Sequence, residues 1–173
     1  PAMVKGVLDN LSGDKPKNHF TVGIHDDVSG LSLPWDDDGH HEASEVTRAV
    51  FYGLGSDGTV GANKNTVKII GENTSLHTQG YFVYDSKKAG AVTVSHLRFG
   101  DKKIKSEYLL TTSDFIALHR PQYIGRFDIL EGIADGGTFL INTSEAPENV
   151  FNTFTKEMQD TIIKKKVKVY AVD

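Results

Sequence analysis

Phe51-Tyr52-Gly53-Leu54-Gly55-Ser56-Asp57-Gly58-Thr59-Val60-Gly61 is the stretch on which the reading of the fold turns. Val50-Phe51-Tyr52-Gly53 predicts a short strand, Gly55 to Gly61 a loop, and Ala62 to Gly71 a helix with Val67, Ile69 and Ile70 as its apolar positions. Gly53-Leu54-Gly55-Ser56-Asp57-Gly58 matches G-x-G-x-x-G between that strand and that helix, the context in which the pattern carries meaning. Glycine lets the main chain turn sharply and lets an anion approach it. The N–H groups and positive end of the following helix then hold the anion. Ser56 and Thr59 add hydroxyl donors.

Strand and helix signals alternate downstream. Gly80 to Tyr84 predicts a second strand, and Ala91 to Phe99 a third that alternates at period two. Glu107 to Leu110 is a candidate strand, and Asp114 to Leu118 a buried one. Pro121 opens a candidate helix with Tyr123, Ile124, Phe127, Ile129 and Leu130 on one face. Gly137 to Asn142 follows as a strand, and Val150 to Lys165 as a helix with Phe151, Phe154, Met158, Ile162 and Ile163 in a stripe. Such alternation predicts an α/β fold: a mostly parallel sheet flanked by helices, with a Rossmann-like strand–glycine loop–helix start.

Residues 1–45 lack comparable periodicity and read as an extended N-terminal arm or linker, with one short strand over His19 to Ile24. The α/β domain is expected over 46–173. The first residue is Pro, and Val167 to Asp173 reads as a strand with no crossover helix after it, so the domain is expected to be incomplete at its C-terminus. Of the 173 residues 38% are hydrophobic and 24% charged, enough apolar material for one core. No apolar run is long enough for a membrane helix. The net charge of −4 argues against nucleic acid as a partner of the whole chain. With no cysteine, the chain supplies no disulfide, no cysteine-ligated zinc or iron–sulfur cluster and no thiol nucleophile.

Candidate chemistry clusters near the loop. In a dinucleotide-binding unit an acidic residue at the end of the second strand takes the ribose hydroxyls, and Asp85 stands there. Lys87 and Lys88 follow at once, and two ammonium groups favour phosphate. An isolated lysine pair is more often solvated; the glycine loop gives this one its meaning. Both NADP and coenzyme A carry a pyrophosphate and a phosphorylated ribose, and both fit. His40 and His41 beside three aspartates read as an acidic loop rather than a metal site. His96 and Arg98 share one strand face and read as hydrogen-bonded structural residues or an interdomain contact. His119 and Arg120 stand at a strand's C-terminal end, where α/β sheets place ligands. Lys164 to Lys166 reads as a solvated helix end.

Phe51 to Asn65 closely resembles a signature of the pyruvate:ferredoxin (flavodoxin) oxidoreductases, as do Gln79 to Lys88 and Val92 to Gly100, and Pro16 to Ile24 resembles the stretch entering the same domain. The resemblance implies an oxidoreductase that converts pyruvate, coenzyme A and oxidised ferredoxin to acetyl-CoA, carbon dioxide and reduced ferredoxin. It implies a large cytoplasmic or organellar homodimer, not membrane-bound, with thiamine diphosphate and [4Fe-4S] clusters in other domains and ferredoxin or flavodoxin as electron carrier. This chain resembles its third, gamma-type domain, where the nucleotide end of coenzyme A docks. The cofactor contacts so implied are Gly55, Ser56, Asp57, Gly58, Thr59 and a lysine of the pair Lys87-Lys88. No residue here is implied in the carbon chemistry, and the chain alone is expected to be inactive.

Two departures from the family pattern stand out. Ala89-Gly90-Ala91 replaces a common Ser-Gly-Gly, and an Ala at position 91 would tolerate a positive φ poorly. Leu118 stands where a cysteine is common before His119.

Overall fold

β-branched and aromatic runs supply the strands of one sheet, and helices cover it from both faces. The structure is a computed structural model that describes residues 1–36, 45–85 and 91–173. Asp37, Asp38, His40, His41, Lys87 and Lys88 lie outside the described residues. The chain divides into two compact units, Pro1–Ala43 and Ser44–Asp173.

In the first unit helix α1 (Ala2–Ser12) precedes two short parallel strands, β1 (Thr21–Val22) and β2 (Ser32–Leu33). The helix is absent from the sequence reading, although Val4, Leu8 and Leu11 recur at helical spacing. All three are exposed, and the buried residues of α1 are Ala2 and Gly6. Asn10 bridges to the following turn: its amide donates to Lys17 O (3.1 Å) and accepts from Lys17 N–H (2.9 Å).

In the second unit the elements run β3 (Val46–Leu54), α2 (Thr59–Asn73), β4 (His77–Tyr84), β5 (Val92–Gly100), β6 (Ser113–Leu118), β7 (Ile133–Asn142), α3 (Pro147–Val150), α4 (Lys156–Lys165) and β8 (Lys168–Val172). The sheet order is β4-β5-β3-β6-β7-β8. Pairs β3/β6, β6/β7 and β7/β8 are parallel, whereas β5 runs antiparallel to β3 and to β4. The α/β fold with a mixed, mostly parallel sheet therefore holds, but the Rossmann-like start does not. In a dinucleotide unit the strand after the first helix lies beside the first strand; here β5 stands between β3 and β4.

Register explains the layers. Val50, Ile116 and Phe139 are paired across neighbouring strands, as are Tyr52, Leu118 and Ile141. Their shared face carries the core, against Phe154, Met158 and Ile162, with Phe139 and Phe154 rings 5.7 Å apart. Helix α2 covers β3, β4 and β5 on the other face, the face of Gly53.

Two expected helices are shorter than their apolar spacing implied. Pro121–Tyr123 forms a single 3₁₀ turn. Gly125 and Gly132, at φ 77° and 72°, turn the chain away, yet Tyr123, Ile129 and Leu130 still reach the core. The helix expected over 150–165 breaks at Thr155, whose extended backbone and side-chain oxygen, accepting from Met158 N–H, start α4 afresh. Lys166 ends α4 in the left-handed conformation, and Lys165 Nζ donates to Ile133 O (2.6 Å), so the lysine run is only partly solvated.

Glu107 to Leu110 is not a strand. That segment is held by side chains projecting from the sheet. Arg98, with no exposure, donates to Gln79 Oε1 (3.1 Å) and Tyr108 O (2.8 Å), and its guanidinium lies 5.0 Å from the centre of the Tyr108 ring. Gln79 donates to Ser106 O (2.6 Å), and Leu110 N–H donates to His96 Nδ1 (3.3 Å). His96 and Arg98 are thus internal fasteners, and the interdomain role is not needed to explain them.

Two outcomes are expected. A Cβ at Gly53 would lie 2.4 Å from Thr59 Oγ1, so Gly53→Ala should lower stability by about 1–3 kcal/mol in chemical denaturation. Burial, and then the Arg98 charge, push the His96 imidazole down to about 4. The unfolded chain takes up that proton near pH 6.5 and the folded chain only near 4. Stability should therefore be fully present above pH 6.5 and drain away as pH falls towards 4, and melting temperatures across that window should fall less for His96→Gln than for the parent chain.

Candidate functional site

The glycine loop leaves β3 and enters α2 through two residues in the left-handed region, Ser56 (φ 74°) and Gly58 (φ 91°). Glycine serves that geometry without strain, whereas Ser56 adopts it at some cost. Gly53 serves differently: it lets Thr59 sit against the strand, 3% exposed. Asp57 closes the loop. Its carboxylate accepts from Leu54 N–H (2.8 Å) and Thr59 N–H (2.8 Å), while Asp57 N–H donates to Leu54 O (3.0 Å). Partial burial would raise the Asp57 carboxyl, but those N–H donors prevail and hold it below the ordinary value. The positive end of α2 is thus already met by a side-chain anion. Among the described residues, nothing accepts from the N–H groups of Ser56, Gly58, Val60 and Gly61.

Gly55 N–H donates to Ala91 O (2.8 Å), which fastens the loop to the start of β5. Register puts Tyr84 and Val92 level with Gly53 and Leu54, so β4 ends and β5 begins at the same edge of the sheet as the loop. Asp85 follows the end of β4, which lies two inter-strand spacings from β3, or roughly 10 Å. The ribose role that a dinucleotide unit would give it is not reproduced.

An open cleft of about 700 Å³ lies at the carboxyl ends of β3, β6 and β7. The chain leaves β3 towards β4 on one side and β6 towards β7 on the other, so the cleft marks the switch point of the sheet, where α/β folds place ligands. Asp57, Gly58 and Thr59 line one wall; His119, Arg120 and Asn142 line the other. His119 Nδ1 and Thr59 Oγ1 are 2.6 Å apart across the crevice. His119 N–H donates to Tyr52 O (3.0 Å), Asn142 Nδ2 donates to His119 O (3.4 Å), and the imidazole stands edge-on to Phe51 at 6.3 Å.

Of the residues singled out from the sequence, the structure brings Asp57, Gly58 and Thr59 to the cleft and sets Gly55 and Ser56 in the same loop. The Thr59 hydroxyl, expected to be available to a ligand, is committed to His119. The residues on the opposite wall are the addition. His119 and Arg120 carried a signal in their place after a strand; Asn142 carried none beyond ending one.

These features define an α/β domain with an open cleft at its sheet's switch point. A family model described as pyruvate ferredoxin/flavodoxin oxidoreductase matches residues 48–173. The chain is 56% identical over 173 residues to a putative pyruvate-flavodoxin oxidoreductase from Synechocystis sp., covering all of this chain and 14% of that protein. It is 52% identical to pyruvate:ferredoxin oxidoreductase from Moorella thermoacetica, covering 15% of it. The crystal structure of pyruvate oxidoreductase subunit PORC from Thermotoga maritima is similar in fold, with a TM-score of 0.52 over 70% of this chain and 68% of that one, at 17% identity. The chain belongs to the pyruvate ferredoxin/flavodoxin oxidoreductase family. It spans about one seventh of the length of the curated relatives it matches.

The chain's own residues do not fit an iron–sulfur cluster: it has no cysteine. Among the described residues no group of three His, Cys, Asp or Glu is arranged to hold a metal ion, and no helix is long and apolar enough to cross a membrane.

Asp57→Ala should remove the two acceptors that close the loop. The expected loss is about 1 kcal/mol in urea denaturation, the size of a lost helix cap.

Proposed function

We propose that this chain is the coenzyme A-binding, gamma-type domain of an oxidoreductase that decarboxylates pyruvate oxidatively to acetyl-CoA and carbon dioxide, passing electrons to ferredoxin or flavodoxin. The observation that carries the reading is the cleft at the switch point, with the glycine loop on its wall. Membership of a pyruvate oxidoreductase family supports coenzyme A as the phosphate-bearing ligand in this reading.

In this reading the domain binds and orients; it does no carbon chemistry. The unpartnered N–H groups of Ser56 and Gly58 face a diphosphate, and Lys87 and Lys88, in the segment joining β4 to β5, meet the ribose phosphate. Thiamine diphosphate and the [4Fe-4S] clusters, held elsewhere in a homodimeric parent, supply the carbanion and electron-transfer chemistry. Holding the cofactor so that its thiol meets a substrate bound on another domain turns a bimolecular encounter into an intramolecular one, an effect worth several kcal/mol, up to ~7–11 in well-oriented systems. The division between residues 1–45 and the domain over 46–173 belongs to the same proposal, as does a cytoplasmic setting, but the first unit is compact and carries a helix and paired strands, so it is not the extended arm its weak periodicity suggested.

Calorimetric titration of coenzyme A, desulfo-coenzyme A, NADP and NAD tests it. Coenzyme A and its desulfo analogue should bind alike, because the nucleotide end makes the contacts, and both should outbind NADP and NAD. Lys87→Ala with Lys88→Ala should weaken coenzyme A about tenfold or more, and added salt should weaken it further. Preference for NAD or NADP would overturn the reading. The isolated chain should show no pyruvate- and coenzyme A-dependent dye reduction.

A further inference from the structure

The electrostatics of the loop pose a problem for any anionic ligand. The usual holder of a phosphate in such a loop is the positive end of the helix, reinforced by its first N–H groups. Here the Asp57 carboxylate already takes the N–H of Thr59 and that of Leu54. A phosphate brought to the same point would meet a fixed negative charge held below its ordinary pKa. Compensating donors must come from outside the loop, and the wall facing Asp57 supplies them.

That wall holds an imidazole in a fixed pose. His119 is anchored through its backbone N–H to Tyr52 O and its backbone O to Asn142, its ring is braced by Phe51, and Nδ1 is committed to Thr59 at 2.6 Å. Among the described residues no protein atom meets the other ring nitrogen, Nε2, while the residue lines the cleft. In the tautomer whose Nδ1 accepts from the Thr59 hydroxyl, the ring hydrogen stands on Nε2 and the free edge is a donor. Arg120, next in the chain and also on the cleft wall, is exposed and adds a permanent cation with a forked donor set.

We propose that His119 Nε2 and Arg120 form a second anion-recognition point of the cleft, binding a phosphate oxygen of the ligand across from the glycine loop, and that Thr59 serves as the clamp orienting His119 rather than as a ligand contact. The inference rests on the coenzyme A reading for the identity of the ligand but not for the chemistry of the point, which is that of a phosphate or diphosphate.

Asparagine and glutamine separate the two ends of the ring: His119→Asn keeps a polar group near the Nδ1 position, and His119→Gln keeps one near the Nε2 position. The 173-residue chain and its His119→Asn, His119→Gln, Arg120→Ala and Lys87→Ala/Lys88→Ala variants are titrated with coenzyme A and, separately, with inorganic pyrophosphate. Melting temperatures are recorded alongside, and the imidazole ¹⁵N resonances of the parent chain are followed during both titrations. His119→Asn should weaken coenzyme A about tenfold while holding its melting temperature. His119→Gln should keep more of the affinity and lose more of the stability. Arg120→Ala should also weaken binding about tenfold. The Nε2 resonance should move on adding pyrophosphate. Unchanged affinity in both His119→Asn and Arg120→Ala, with the lysine variant weakened, would overturn this inference and leave the coenzyme A reading standing. Failure of the parent chain to bind coenzyme A would overturn that reading alone. In that case, a static Nε2 resonance in pyrophosphate would overturn the inference as well, and a moving one would uphold it.

Discussion

Thr59 is wedged between a strand and a histidine, and the second unit is organised around that wedge. Its side chain occupies the space a Cβ at position 53 would need, its N–H is taken by Asp57, and its hydroxyl meets His119 across the crevice. The end of β3, the start of α2 and, some sixty residues on, the residue after β6 converge on this one side chain. The switch-point cleft has a defined width because that contact spans it. Close approach of helix to strand depends on Gly53 having no side chain, which is why a short polar residue follows the loop at the first position of α2.

Charge placement around the wedge separates this loop from a plain phosphate cradle. A carboxylate built into the turn satisfies N–H groups that a ligand would otherwise have to satisfy, so the loop is closed and ordered by its own residues. The same carboxylate raises the demand for positive charge nearby. Among the described residues Arg120, on the wall of the same cleft, offers such a charge.

The opposite end of the sheet is held by a different device. Arg98 and His96, side by side on β5, are turned inward and spend their hydrogen bonds on the main chain of Ser106 to Leu110, with Gln79 assisting. A buried guanidinium is tolerated because a main-chain carbonyl oxygen, an amide oxygen and an aromatic face meet it. A segment with strand-like composition needs no ladder when side chains meet its backbone groups.

Local pattern was enough for much of this protein. Short apolar runs, with period-two alternation in β5, located the strands from β3 to β8, a glycine motif between strand and helix located the loop, and the unusual strings around it carried the family. What the pattern could not decide was adjacency. Whether β4 lies beside β3 depends on where β5 inserts, and nothing within either strand records that; hence the misplaced role for Asp85. The helix expected after Pro121 and the single helix over 150–165 had the right apolar residues, but Gly125 and Thr155 redirected the chain while those side chains kept their places in the core. His119 stood out weakly as a residue after a strand. Its partnership with Thr59, far away along the chain, exists only because two parallel strands end at the same edge of one sheet, and that is a property of the assembled sheet rather than of any segment in it.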